Sequence, residues 1–276
     1  MATPTLMLND TRVIPQIGYG TFLVPAKDAV ERVTSALAAG YRHIDTAAIY
    51  GNEAEVGKAI AESGIPREEL WVTTKLWNNR RGKDQTRAAL EESLEKLGLD
   101  YVDLYLIHWP APERGPIQET WETFGQLRGE GMTKSVGVSN FDERYLPAVL
   151  ETGLIPAVNQ IELHPQFQQR PAVELSARHN IAIEAWGPLG QGKVDYTGGV
   201  IGEIAQAHGI SWAQTVLAWH VAKGHIVFPK SSTPQRMAEN LASGQVTLTA
   251  QEVERIDALD KGAQGRVSAD PAEVND

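Results

Sequence analysis

Along the chain, short apolar runs alternate with amphipathic stretches from one end to the other. Eight runs are rich in β-branched and aromatic residues and bounded by Gly, Asn or Pro: Ile17–Phe22, Tyr41–Thr46, Trp71–Leu76, Val102–His108, Ser135–Ser139, Ala157–Glu162, Ile181–Trp186 and His225–Pro229. Length and composition predict strands. Between them apolar residues recur at spacings of three and four, which predicts helices over Ala26–Ala39, Glu53–Ser63, Asp84–Leu97, Ile117–Gly129, Glu143–Glu151, Arg170–His179, Gly199–Gly224 and Thr233–Ser243. Punctuation agrees: Gly40, Gly64, Gly98, Gly153 and Gly224 fall just past helix ends, and Ser211 and Thr249 stand at N-cap positions.

Eight strand-plus-helix units predict an α/β protein, a (β/α)8 barrel, because parallel strands need crossover helices and eight tilted strands close around an interior that side chains fill. A doubly wound open sheet is the competing arrangement. It fits less well, since Gly18-Tyr19-Gly20 runs into Thr21-Phe22 instead of completing G-x-G-x-x-G before a helix. No low-complexity linker divides residues 1–276, so one barrel domain is expected, with a hairpin over Thr5–Pro15 and an extra C-terminal helix over Thr249–Asp260.

Composition narrows the chemistry. A chain of 276 residues buries roughly 70 % of its unfolded surface on folding and needs no staple. The absence of cysteine removes disulfides, thiolate metal sites and a cysteine nucleophile. The seven histidines include no H-x-x-x-H pair, so no metal is expected. With 25 Lys+Arg against 35 Asp+Glu the net charge is -10, which repels nucleic acid and anionic membranes. There is no basic and apolar leader and no apolar run approaching ~18 residues, so a cytoplasmic monomer acting on a small molecule is expected.

In a barrel of this kind chemistry sits at the C-terminal ends of the strands. Asp45 ends the second run and Tyr50 follows in its loop; Lys75 ends the third and His108 the fourth. Ser139 and Asn140 end the fifth, Gln160 and Glu162 lie on the sixth, Trp186 ends the seventh and Lys230 the eighth. Singly, each has a structural alternative: half of an ion pair, a hydrogen-bonded core histidine, a turn aromatic. Together they would converge in one small volume, and burying so many polar groups for packing alone is costly.

The segments Gly18-Tyr19-Gly20-Thr21, Tyr41 to Ala47 through Tyr50-Gly51-Asn52-Glu53, Thr74-Lys75-Leu76-Trp77, Ile107-His108-Trp109-Pro110, Gly137 to Phe141, Asn159-Gln160 and Pro229-Lys230-Ser231 to Asn240 resemble the aldo-keto reductase family. Within it the chain is most similar to the compact bacterial 2,5-diketo-D-gluconate reductases, through Val158 to Pro165 and Trp186 to Lys193. The resemblance implies a barrel that uses NADPH/NADP+ to reduce small aldehydes, α-dicarbonyls or keto-sugars. Tyr50 would be the general acid, Lys75 the cation that lowers its pKa, Asp45 the partner that holds Lys75, and His108 the group that polarises the substrate oxygen.

The resemblance also implies a cofactor site. Ser139, Asn140 and Gln160 would hold the nicotinamide carboxamide, and Trp186 would stack on the ring. Gly187, Leu189, Gln191 and Gly192, with Gly190, would offer backbone amides to the pyrophosphate. Lys230, Ser231, Ser232 and Arg236 would take the adenosine 2'-phosphate, and Glu239 and Asn240 would meet the adenine. Trp77 and Trp109, with Phe22 and Ala48, would form an apolar mouth for the substrate, whereas Trp71, Trp121, Trp212 and Trp219 read as packing. The short connections Ala111 to Pro116 and Gly192 to Gly198 and the short tail Gly262 to Asp276 imply an open pocket and a looser grip on cofactor. Thr233 and Pro234 stand where near relatives often carry basic residues, which weakens the implied phosphate site.

Two other functions stay open on sequence grounds. Lys75 at a strand end is also where a Schiff-base lyase of the class I aldolase kind places its amine, which borohydride trapping would reveal. A barrel that binds nicotinamide without turnover, acting through a partner, is the second.

Overall fold

In the computed structural model, residues 3–276 are described. A small antiparallel hairpin, β1 (Thr5–Met7) and β2 (Val13–Pro15), precedes a parallel sheet of eight strands in sequential order. These are β3 (Tyr19–Gly20), β4 (His43–Asp45), β5 (Trp71–Leu76), β6 (Val102–Ile107), β7 (Thr133–Ser139), β8 (Val158–Glu162), β9 (Ala182–Trp186) and β10 (Ile226–Val227). The ring closes where Ile17 pairs in parallel with Val227: Gly18 N–H donates to the Val227 carbonyl at 2.9 Å, and Val227 N–H to that of Gln16 at 2.8 Å. The predicted (β/α)8 barrel is therefore present, although the strands flanking the seam are shorter than their apolar runs.

Ten helices wrap the described barrel: α1 (Ala26–Ala39), α2 (Glu53–Glu62), α3 (Lys83–Leu97), α4 (Gln118–Gly129), α5 (Leu146–Leu150), α6 (Arg170–Arg178), α7 (Gly199–His208), α8 (Trp212–Ala222), α9 (Pro234–Ala242) and α10 (Ala250–Asp257). Helix α1 shows why the pattern is readable. Ala29, Val33, Ala36 and Leu37 share its buried face, and the left-handed Gly40 ends it by donating to the carbonyls of Ala36 and Leu37.

Two predicted helices differ. The stretch 199–224 is two helices, because Gly209 at φ 65° caps α7 and Ser211 opens α8 through a capping box with Gln214. The helix expected from Glu143 begins at Leu146, since Asp142 folds residues 142–145 into a turn by accepting from the Arg144 backbone and guanidinium. No helix among the described residues is long and apolar enough to cross a membrane.

Four interior histidines are held neutral. Burial lowers His43 to about 3 and His225 to about 4, and pushes His108 and His220 well below the usual range. Their folded pKa values lie below the unfolded ones, so their contribution is present above about pH 6.5 and is lost as the pH falls toward the folded values. At pH 5 His43 and His225 each favour the unfolded chain by roughly 2 kcal/mol, and His108 and His220 act in the same direction. Buried Glu184 and half-buried Asp103, both raised, oppose this with fewer groups. The melting temperature is expected to fall markedly between pH 7 and pH 5 in calorimetry; a flat profile would contradict burial of the neutral rings.

Candidate active site

Asp45 closes β4 and Lys75 lies on the neighbouring strand, two residues beyond the Thr73 that pairs with Asp45. The Lys75 ammonium therefore reaches back along the barrel. Its Nζ lies 2.7 and 2.8 Å from the two Asp45 carboxylate oxygens and 2.8 Å from the Thr46 carbonyl. Three acceptors thus face its three N–H bonds, and the Tyr50 hydroxyl shares in the same set of hydrogen bonds. Lys75 is fully buried. Burial presses it toward the neutral form, but Asp45, followed by Tyr50 and Glu184, more than offsets that and raises it above the ordinary lysine value.

Tyr50 comes to this pair on a helical turn, Ala48–Tyr50, that ends at Gly51 in the left-handed region. Asn52 braces the turn: it accepts from the Thr46 hydroxyl at 3.1 Å and donates to the carbonyls of Thr21 and Val24 at 3.1 and 3.0 Å. The Lys75 nitrogen sits 5.3 Å from the centroid of the Tyr50 ring, and the His108 ring lies 5.7 Å from it. All four residues read from the strand ends thus meet at one mouth of the barrel.

The expected lowering of the Tyr50 pKa is not what the structure gives. Burial dominates and raises the phenol to about 12, with the Lys75 charge pulling it down and Asp45 adding to the rise. Lys75 moderates the shift without reversing it, because the cost of burial is the larger effect and the Asp45 charge adds to it. His108 is lowered first by burial and then by Lys75, so its ring is neutral and offers one N–H; its Nδ1 is buried without a partner among the described residues.

Aromatic walls surround the mouth. Phe22 packs 5.2 Å from Tyr50, Trp77 5.2 Å from His108, and Trp109 stacks 6.4 Å from His108 while meeting Trp186 at 6.4 Å. Ala48 is half-buried beside Tyr50. Trp71, Trp121 and Trp219 are buried in the packing, and Trp212 is half-buried.

The adjoining strand ends are cross-braced. Ser139 Oγ donates to the Gln160 carbonyl at 2.9 Å, and Asn140 Nδ2 donates to the His108 carbonyl at 3.0 Å and to Ser139 Oγ at 3.1 Å. The Trp186 indole N–H donates to Asn140 Oδ1 at 2.9 Å, which fixes the face that the ring presents. Gln160 Nε2 donates to Asp45 Oδ2 and Glu184 Oε2, both at 2.8 Å.

After β9 the chain enters a loop in which Gly187, Gly190, Gln191 and Gly192 all have positive φ. Apart from its chain neighbours, nothing lies within 4 Å of where a Gly192 Cβ would be, so the backbone there borders open space. Leu189 precedes its tight turn. The tail ties this region down: Lys193 Nζ donates to the Val267 carbonyl at 2.7 Å, and Glu162 accepts from Val267 N–H at 2.8 Å and from the Ser268 hydroxyl.

Beyond β10, Lys230, Ser232 and Arg236 are exposed and Ser231 and Asn240 are buried, while Glu239 accepts from Gln235. Lys230 and Arg236 pair with no carboxylate among the described residues, in a chain with ten excess negative charges. Partial burial and nearby Arg32 lower Lys230 below the ordinary lysine value. An anion with a nicotinamide head fits these features: an open left-handed loop, two unpaired cations and a free amide oxygen on Gln160.

Sequence reading passed over Asn52, Arg32 and Glu184. The last had a signal, a carboxyl in the middle of the apolar run Ile181–Trp186.

Comparison with known proteins agrees with this architecture. The model of the aldo/keto reductase family matches residues 16–261. An aldo-keto reductase of Mycolicibacterium smegmatis is 47% identical over 274 residues, covering 99% of this chain and 98% of that protein. The methylglyoxal reductase DkgA of Escherichia coli is 44% identical over 274 residues, with 98% of each covered. A crystal structure of a Gox0644 mutant in complex with NADPH superposes with a TM-score of 0.94 at 42% identity, covering 99% of both chains. The chain belongs to the aldo/keto reductase family.

Proposed function

We propose that this protein reduces small carbonyl compounds, α-dicarbonyls and keto-sugars foremost, to alcohols with Tyr50 as the general acid. As a member of its family it is an NADPH-dependent oxidoreductase that acts on carbonyl groups. The observation that carries the mechanism is the convergence of Tyr50, His108 and the buried Lys75–Asp45 pair at one strand-end mouth.

When bound, NADPH supplies the hydride. Tyr50 gives its proton to the carbonyl oxygen, so that hydride on carbon and proton on oxygen complete the alcohol. The phenolate left behind faces the Lys75 ammonium, which Asp45 keeps charged, and is reprotonated from solvent. The neutral His108 ring donates one hydrogen bond to the same oxygen and orients the carbonyl. Ser139, Asn140 and Gln160 would hold the carboxamide, Trp186 the ring, the 187–192 loop the pyrophosphate, and Lys230 and Arg236 the 2'-phosphate.

The aromatic mouth built from Phe22, Trp77 and Trp109 suits small, partly apolar substrates, and the name of the DkgA relative supports an α-dicarbonyl. A lyase using Lys75 as an amine nucleophile is disfavoured, because that nitrogen stays charged and its three hydrogens face acceptors.

The test follows cofactor absorbance over a carbonyl panel that includes methylglyoxal, with NADPH and NADH in parallel. NADPH should be preferred by about tenfold or more, since two charge-assisted contacts exist only with the 2'-phosphate. Replacing Lys230 and Arg236 together by Met should erase that preference and leave NADH turnover almost untouched. Equal losses with both cofactors would assign these cations to the adenine pocket or the fold instead.

A further inference from the structure

Building on the reading of Ser139, Asn140 and Gln160 as the nicotinamide subsite, we infer that Glu184 is a positioning residue. It sets the side-chain amide of Gln160 with its oxygen facing the pocket, so that the site recognises the amine of the cofactor's carboxamide.

The β8–β9 register places Glu184 directly beside Gln160. Gln160 Nε2 is 2.8 Å from Glu184 Oε2 and 2.8 Å from Asp45 Oδ2. An amide nitrogen carries two hydrogens, and here each meets a carboxylate oxygen. Turned over, the amide would set its own oxygen against those same acceptors, so the chemistry of the neighbours selects one orientation. Asp45 alone would hold one hydrogen and let the amide pivot about that bond. Glu184 adds the second point that fixes its plane. The Gln160 Oε1 that remains accepts from no group among the described residues.

Packing does not explain Glu184. It is fully buried between Ile183 and Ala185 on its own strand, and its Oε1 has no partner among the described residues. Burial, with Asp45 adding to it, pushes its carboxyl up to about 8. Below that value the proton can sit on Oε1 and leave Oε2 to accept from Gln160, while Asp45 Oδ2 stays an acceptor only and still opposes the turned-over amide.

The experiment compares dissociation constants, by calorimetric titration, for NADP+ and for its 3-acetylpyridine analogue, which has a methyl where the carboxamide has its amine. The wild type should prefer NADP+ by about tenfold, as expected when one acceptor is left unpaired by a ligand lacking the matching donor. Glu184→Leu and Glu184→Val, either of which serves if the other does not fold, should cut the preference to within about threefold. Glu184→Gln, which keeps an acceptor oxygen, should retain it. Because the ratio is taken within each variant, a general loss of stability cancels. If the Leu or Val variant keeps the full preference, Glu184 does not set the amide. A wild type that binds both ligands equally overturns the proposal while leaving the nicotinamide reading standing, and one that binds neither overturns that reading as well.

Discussion

Replacing Tyr50 with Phe should lower carbonyl reduction by about a hundredfold or more while NADPH binding stays nearly unchanged. The substitution keeps the ring that packs 5.2 Å from Phe22 and 5.7 Å from His108, so the walls of the mouth are preserved. Only the hydroxyl proton is lost. With the phenol raised to about 12, it is fully protonated at neutral pH, and no other residue can take over. His108 is neutral and has one N–H that orients the carbonyl, and Lys75 is bound on three sides. Steady-state rates beside a cofactor titration separate the outcomes. A variant with more than about a tenth of wild-type turnover would remove Tyr50 from the role of acid.

Lys75→Met should be as severe for turnover and should also reach the fold. The phenolate that follows proton transfer loses the one cation that counters its burial, so the tyrosine pKa moves higher still and the alkaline limb of the pH profile moves up with it. Asp45 is left as a buried carboxylate whose only remaining side-chain donor among the described residues is Gln160, and breaking such a pair from one side costs about 3 to 5 kcal/mol. A pH–rate profile together with a melting curve checks both parts. A profile of unchanged shape would mean that Lys75 and Tyr50 are not coupled.

The proposed catalytic residues were readable because in this fold chemistry ends strands, and a polar, ionisable residue at the end of an apolar run is conspicuous. Asp45, Lys75 and His108 each do so. Glu184 sits mid-run, where burial on the barrel interior and membership of an apolar run leave the same imprint in sequence. The break at Gly209 was hidden within a continuous amphipathic period, although Ser211 marked the start of the next helix. The direction of the Tyr50 shift was beyond reach for a different reason. A sequence reveals that a cation is near a phenol, but the competing cost of removing that phenol from water depends on packing that only the folded chain defines.

The seam of the barrel sets where the cylinder yields. Strands β3 and β10 contribute two residues each, and their junction is stitched by the Gly18 and Val227 amides and by the Tyr19 hydroxyl, which donates to the Ser231 carbonyl at 3.0 Å. On the opposite flank β5, β6 and β7 run six, six and seven residues in unbroken register. Elastic compliance is therefore concentrated on one side of the ring, the side from which Lys230 and Ser231 emerge, while Lys75 and His108 sit on the stiff wall. Gly18 keeps the compliant side shut: a Cβ there would lie 2.8 Å from the Phe228 ring and act as a wedge. The molecule thus resembles a spring clip, whose rigid jaw is the long strands that carry Lys75 and His108 and whose pliant jaw is the short strands at the seam.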